Sequence, residues 1–140
     1  MSETKFGKYI ITELKPKKRA SWEPVVKPEE SMPVLFLDNS VVKDAFYVES
    51  SWTLPHFADK THGEAHQHDY DEVLAFFGSN PENPHDLYAV AEVHLGDEVH
   101  IITKSCLIFV PKGLKHGPID FKRIDRPIFH FSCGNNKKYF

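Results

Sequence analysis

Short apolar stretches separated by turn residues run through most of the chain, and this pattern limits its fold more than any other feature. No stretch keeps a helical spacing of apolar residues. Over residues 87–95 apolar and polar side chains alternate, which is typical of a strand with one buried face. Gly96 and Asp97 then predict a hairpin turn. We predict an all-β, antiparallel fold with strands at 34–37, 45–48, 73–77, 87–95, 99–103, 106–110, 118–121 and 127–131.

Residues 1–33 differ from the rest, because prolines interrupt them at positions 16, 24, 28 and 33. These prolines exclude a long helix or a central strand and predict an extended N-terminal arm. The remaining residues, 34–140, are expected to form a single domain with its own core. Because exposed sheet edges are normally covered, we expect the arm to cover an edge or to pair with a second subunit. We therefore expect a homodimer.

Charge and hydropathy exclude several classes of protein. A formal net charge of -3 argues against a nucleic-acid or anionic-membrane partner. No apolar run approaches the roughly 20 residues that span a membrane, and the first residues lack the apolar core of a secretory signal. Cys106 and Cys133 form no disulfide pattern, which suits a reducing compartment. We expect a cytoplasmic protein.

Four potential metal ligands lie in two segments, around residues 66–72 and at residue 116. His66 and His68 are two apart, so in an extended chain their imidazoles point to the same side. Glu72 has the same parity, and His116 follows a Pro-x-Gly turn. Three imidazoles and a carboxylate suit Fe, Mn, Co, Ni, Cu or Zn, and the absence of cysteine argues against a structural zinc site.

The two segments resemble the paired motifs of the cupin superfamily, HxH-x3or4-E and PxG-x2-H. All of the motif positions are filled, by His66, His68 and Glu72 in the first and by Pro111, Gly113 and His116 in the second. The resemblance extends over roughly residues 34–131. It implies a single β-barrel of the cupin type, that is, a double-stranded β-helix or jelly roll. The flanking positions depart from the family pattern, at Gly63, Gly78, Ser105 and Asp120.

By this resemblance, one divalent transition metal with open coordination positions would bind a small oxygenated substrate. We expect a metal-dependent oxygenase, isomerase, lyase or decarboxylase. Tyr70, between the ligands, and His130, which alternates with Phe129 and Phe131, are the candidate acid–base groups. Two alternatives remain open: a non-catalytic module that binds or senses a sugar-like molecule, and a metal-free structural protein.

Overall fold

The computed structural model describes residues 4–15 and 31–137, and its regular structure is almost entirely β-strand. Each predicted strand overlaps an observed one, which confirms the all-β prediction. The lone strand without a predicted counterpart in the described chain is the short β3. The strands are β1 (Ser31–Leu37), β2 (Tyr47–Thr53), β3 (Lys60–His62), β4 (Glu72–Gly78), β5 (Asp86–Leu95), β6 (Glu98–Lys104), β7 (Cys106–Val110), β8 (His116–Ile124) and β9 (Ile128–Gly134).

The strands form two antiparallel sheets. One sheet has five strands in the order β1-β2-β9-β4-β7, and the other has four in the order β3-β8-β5-β6. Pairing among the described strands therefore gives a jelly-roll sandwich of two sheets, which confirms the jelly roll that the resemblance implies. The description of this fold as a barrel stays a prediction. The turn at Gly96 and Asp97 joins β5 to β6, as its sequence predicts.

The core lies between the two sheets. In β5 the side chains alternate between buried and half-buried, so Leu87, Ala89, Ala91 and Val93 all face inward. They belong to one apolar cluster with residues from β4, β7, β8 and β9. This period of two is the one that the sequence shows, because each strand has one face on the core.

The predicted arm is described only in part. Residues 4–15 contain a short 3-10 turn at Gly7–Tyr9, and residues 16–30 lie outside the described residues. β1 begins at Ser31, so Pro33 belongs to an edge strand, where its pairing with β2 shifts in register. The arm therefore stays a prediction. No helix of the described residues is long and apolar enough to cross a membrane.

Candidate metal centre

The loop before β4 is held against the start of β8 by a pair of backbone hydrogen bonds. The His66 amide donates to the His116 carbonyl (2.9 Å), and the His116 amide donates to the His66 carbonyl (2.8 Å). The Gly113 amide adds a third hydrogen bond, to the His68 carbonyl (2.8 Å). The two segments that the sequence singles out are thus joined directly, although about fifty residues separate them.

This junction brings three imidazoles together. The ring centroids of His66 and His116 lie 4.3 Å apart, and those of His66 and His68 lie 4.7 Å apart. One ring nitrogen from each of the three residues lies within 4.8 Å of the other two. His68 and His116 are buried, whereas His66 is half-buried. The half-buried His66 marks the side of the centre that is nearest to solvent.

Backbone carbonyls fix the tautomers of two of these rings. Nδ1 of His66 lies 2.7 Å from the Glu64 carbonyl, and Nδ1 of His116 lies 2.9 Å from the Leu114 carbonyl. A carbonyl only accepts, so each Nδ1 carries the proton and each Nε2 of the neutral ring presents a lone pair. Nε2 of His116 is buried, and no described group donates a hydrogen bond to it. A buried lone pair of this kind could bind a metal.

Glu72, the first residue of β4, lies beside the imidazoles of His68 and His116. Its Oε1 is 3.1 Å from Nε2 of His116 and 3.6 Å from Nε2 of His68. Its Oε2 accepts a hydrogen bond from the Tyr47 hydroxyl. Burial raises the pKa of Glu72, but the contacts with His116, His68 and Tyr47 outweigh burial and lower it to about 2. Glu72 is therefore a carboxylate at neutral pH.

The imidazoles differ in basicity because their surroundings differ. Burial, together with the neighbouring His116 and His68, lowers the pKa of His66 to about 4. For His116, burial lowers the pKa, but Glu72 and the Leu114 carbonyl outweigh burial and raise it. His66 is therefore neutral near pH 7, as a metal ligand must be.

Tyr47 is the site residue that sequence reasoning missed. It is fully buried on β2, and it reaches Glu72 across β9, where Gly134 pairs with both residues. A Cβ at Gly134 would lie 2.6–2.8 Å from the rings of Tyr47 and Tyr70. The absence of a side chain at Gly134 thus makes room for the Tyr47–Glu72 contact. Neither Tyr47 nor Gly134 belongs to a recognisable motif, so the sequence carries no signal for the contact.

Tyr70, a predicted acid–base group, lies beside the three imidazoles. Its ring stacks on that of His68, with centroids 4.6 Å apart, and it meets Tyr47 edge to face at 5.9 Å. Burial and the negative charge of Glu72 raise the pKa of Tyr70. Its hydroxyl therefore stays protonated at neutral pH and can donate a hydrogen bond or a proton. Its catalytic role stays a prediction.

His130, the other predicted acid–base group, lies farther along the sheet. It shares its parity on β9 with the buried Ile128 and Ser132, so it faces the interior. Its Nδ1 donates to the Ala75 carbonyl (2.8 Å), and its ring stacks on Phe76. His130 pairs with Phe76, whereas Gly134, four residues further along β9, pairs with Glu72. About 13 Å of strand therefore separates His130 from Glu72. A role for His130 at the centre stays a prediction.

Asp71 connects the site loop to two other segments. Its Oδ1 accepts from the Lys112 amide (2.9 Å), and its amide donates to Oδ1 of Asn135 (3.0 Å). The Asn135 amide in turn donates to the Asp71 carbonyl (3.2 Å). These bonds fix the start of β4, and with it Glu72, relative to the turn that leads to His116.

Comparison with known proteins rests on solved structures. No protein-family model and no curated protein sequence matches the chain significantly. An oxalate oxidase in complex with the substrate analogue glycolate superposes with a TM-score of 0.58 and 14% identity, over 99% of this chain and 64% of that one. A recombinant oxalate oxidase with glycolate gives 0.55 and 12%, over 94% and 61%. This chain thus spans slightly less than two thirds of the length of either oxidase.

An RmlC-like cupin from Shewanella frigidimarina NCIMB 400 also matches, with a TM-score of 0.43 and 14% identity over 65% of this chain and 67% of that one. Identities this low report on the fold alone. The strand order, the antiparallel pairing and the superposition with the two oxidases agree with one another. The chain has the fold of the cupin superfamily.

Proposed function

We propose that the chain is a metal-dependent enzyme that binds one divalent transition metal through His66, His68, His116 and Glu72 and acts on a small oxygenated substrate. The observation that carries the proposal is the buried Nε2 of His116, which receives no hydrogen bond in the described part of the chain and faces a second acceptor, Oε1 of Glu72, at 3.1 Å. It lies among three imidazole nitrogens that converge within 4.8 Å. A purely structural cluster would be expected to satisfy such an atom.

The donor set fits a transition metal. Three imidazole nitrogens and one carboxylate oxygen suit the borderline cations from Mn to Zn, and they leave coordination positions open for a substrate. Bound there, the metal would act as a Lewis acid or a redox centre for a substrate oxygen atom. Glu72 lies within 4 Å of two of the imidazoles, which supports its inclusion as the fourth ligand.

The protein groups around this centre have separate roles in the proposal. The Glu64 and Leu114 carbonyls orient His66 and His116, and Tyr47 holds the Glu72 carboxylate. Tyr70 keeps its proton, so it would donate a hydrogen bond to a substrate oxygen beside His68. A substrate would enter past His66, the ligand that is not fully buried.

Metal content of the purified protein, with and without a ligand substitution, tests this function. We expect one equivalent of metal in the wild type and none in His116→Ala, measured by elemental analysis. The matched control is His94→Ala, because His94 lies beside Asp120 and has the opposite parity on β5 to the residues that face the core. Equal metal content in His116→Ala and the wild type would remove His116 from the ligand set.

Turnover separates an enzyme from a binding module. The two structurally similar oxalate oxidases bind glycolate, so oxalate and glycolate are the first probes. Oxygen uptake with iron, manganese or copper in the site would indicate an oxidase or oxygenase, whereas conversion without oxygen uptake would indicate non-redox chemistry. Saturable binding of these and of neutral sugars without any conversion would favour the binding module. A cytoplasmic location and a homodimer remain predictions from the sequence.

A further inference from the structure

Two tyrosine rings lie directly over Gly134, the last residue of β9. A Cβ at Gly134 would lie 2.6 Å from Cε2 of Tyr70 and 2.7 Å from Cε1 of Tyr47. Glycine weakens a strand, and it often marks a place where another group approaches the backbone closely. The backbone at Gly134 is not left-handed, so its conformation alone would accept a side chain. The two rings are therefore the reason that this position needs glycine.

The Tyr70 ring connects Gly134 to the imidazole of His68. The planes of the two rings lie within 20° of each other, and their centroids are 4.6 Å apart. On its other side the Tyr70 ring meets the edge of the Tyr47 ring, at an interplanar angle of 77°. An imidazole that is stacked in this way cannot turn about its Cβ–Cγ bond without striking the phenol ring. The stack therefore holds the plane that contains Nε2 of His68.

Backbone hydrogen bonds hold Tyr70 over Gly134. The residues that follow these two in the chain, Asp71 and Asn135, are bonded to each other. The Asp71 amide donates to Oδ1 of Asn135 (3.0 Å), and the Asn135 amide donates to the Asp71 carbonyl (3.2 Å). The side chain of Tyr70 is also buried. Its ring is thus fixed relative to β9 through the backbone as well as through its ring contacts.

We propose that the Tyr70 ring is a positioning group, which orders the His68 imidazole for metal before the metal binds. This inference rests on the proposed function, because His68 is one of the ligands that we propose. His66 and His116 are oriented by carbonyls two residues before them. The Tyr70 ring supports His68 by stacking. A ligand that is already ordered loses less conformational freedom on binding, so the stack should raise metal affinity.

The ring and the hydroxyl of Tyr70 have different roles in this inference. The ring contacts His68, whereas the hydroxyl is the group that the proposed function assigns to the substrate. Tyr47 supports Glu72 through its own hydroxyl. Because both rings lie over Gly134, this one glycine makes room for the support of two of the four proposed ligands.

Zinc titration of two Tyr70 variants of the full-length chain, measured by calorimetry, tests the inference. Tyr70→Phe keeps the stacked ring, so we expect the zinc affinity of the wild type. Tyr70→Leu removes the ring, and we expect the affinity to fall by about 10- to 100-fold, as it does when other groups that orient ligands are lost. The absorption spectrum of the cobalt-loaded chain reports on ligand geometry. It should match the wild type in Tyr70→Phe and differ in Tyr70→Leu.

Phe57→Leu serves as the control for loss of a buried ring. Phe57 is 2% exposed and belongs to the apolar core cluster, which contains none of the four proposed ligands. We expect this variant to lose stability and to keep the zinc affinity of the wild type. A loss of affinity in Phe57→Leu equal to that in Tyr70→Leu would overturn the inference, because affinity would then follow stability.

Two results for the Tyr70 variants would also overturn the inference. One is unchanged zinc affinity in Tyr70→Leu, and the other is an equal loss in Tyr70→Phe and Tyr70→Leu, which would assign the effect to the hydroxyl. Either result leaves the proposed function intact if the wild type binds zinc. A wild-type chain that binds no metal would overturn the proposed function together with this inference.

Nuclear Overhauser contacts in the wild type give a second test that needs no variant. Because the stack forms before the metal binds, we expect contacts between the ring protons of His68 and Tyr70 in the metal-free chain. We expect the same contacts after zinc is added. Contacts that are absent from the metal-free chain would contradict the inference, because His68 would then be ordered by the metal and not by Tyr70.

Discussion

At the scale of single residues, the centre depends on groups that hold the proposed ligands as well as on the ligands themselves. His66 and His116 are oriented by carbonyls two residues before them in the chain, so short-range backbone geometry fixes their direction. Glu72 is oriented by Tyr47, which is 25 residues away in sequence and on another strand. The first kind of support follows from local structure, and the second requires the sheet to form.

Tyr47→Phe tests this second kind of support. The variant keeps the buried ring and removes the hydroxyl that donates to Glu72. We expect metal affinity to fall by about 10- to 100-fold, because ligands lose affinity when the groups that orient them are removed. Calorimetric titration with zinc measures this change. The control is Tyr88→Phe, whose hydroxyl contacts Asn80. Equal affinities for Tyr47→Phe and the wild type would show that Glu72 needs no support from Tyr47.

His130 gives a prediction for pH. Burial lowers the pKa of His130, so below the ordinary value of about 6.5 the unfolded chain binds a proton that the folded chain does not. The stability that His130 contributes is present above that pH and is lost as pH falls below it. His66, whose pKa is lowered to about 4, adds to the same loss.

We therefore expect the free energy of unfolding to fall less steeply with acidity in His130→Gln than in the wild type. The difference is at most about 1.4 kcal/mol per pH unit, measured by urea unfolding on either side of pH 6.5. His100→Gln, on the exposed strand β6, serves as the control. A wild-type slope in His130→Gln would mean that His130 titrates normally in the folded chain.

At the scale of elements, the site depends on the contact between the loop that contains His66 and the start of β8. Gly117 has a φ of +84°, and a Cβ there would lie 2.8 Å from the Glu64 carbonyl oxygen. Gly113 has a similar φ of +83°, but a Cβ there would meet nothing within 4 Å. Both positions would strain the backbone when substituted, but of the two it is Gly117 whose Cβ would also meet the site loop. Comparing the two substitutions therefore distinguishes the effect of backbone strain from the effect of that contact.

Gly117→Ala should lower both stability and metal affinity, because it pushes the loop that contains His66 away from His116. Gly113→Ala should lower stability alone, by about 1–2 kcal/mol for a left-handed alanine. Denaturant unfolding and zinc titration of the two variants measure these changes. Equal metal affinities in Gly117→Ala and Gly113→Ala would show that the contact with Glu64 does not affect the site.

Sequence patterns predicted some strands better than others. Alternation on β5 and the turn at Gly96 predicted their elements well, because these signals are local. The apolar run 73–77 predicted the position of β4 but not which of its faces meets the core, because apolar side chains occupy both faces. β3 was not predicted, because residues 60–62 carry no alternating pattern. Its observed pairing is with β8, which is distant in sequence.

At the scale of the whole molecule, the fold class followed from the sequence, but the arrangement of the sheets did not. The two motifs indicated which side chains meet, because together they resemble the paired motifs of the cupin superfamily. Tyr47 and Gly134 could not be identified, because their contact depends on the order β2-β9-β4 within one sheet. That order is set by packing of the whole chain, and no local pattern records it.

Metal binding should also be visible in the stability of the whole molecule. A ligand that binds only the folded state at 100 times its Kd stabilises it by about 2.7 kcal/mol, and for a chain of this size that corresponds to roughly 5–10 °C in Tm. We expect zinc to raise the Tm of the metal-free wild type by this amount and to leave that of His116→Ala unchanged. An equal rise in both would assign the stabilisation to a different site.

The proposed function depends above all on one centre formed by His66, His68, His116 and Glu72. A metal-edge anomalous difference map from crystals of the protein tests it most directly. We predict a single strong peak at about 2.0–2.2 Å from Nε2 of each histidine, with the Glu72 carboxylate in its coordination shell. A peak elsewhere in the molecule, or none in crystals soaked with the metal, would contradict it.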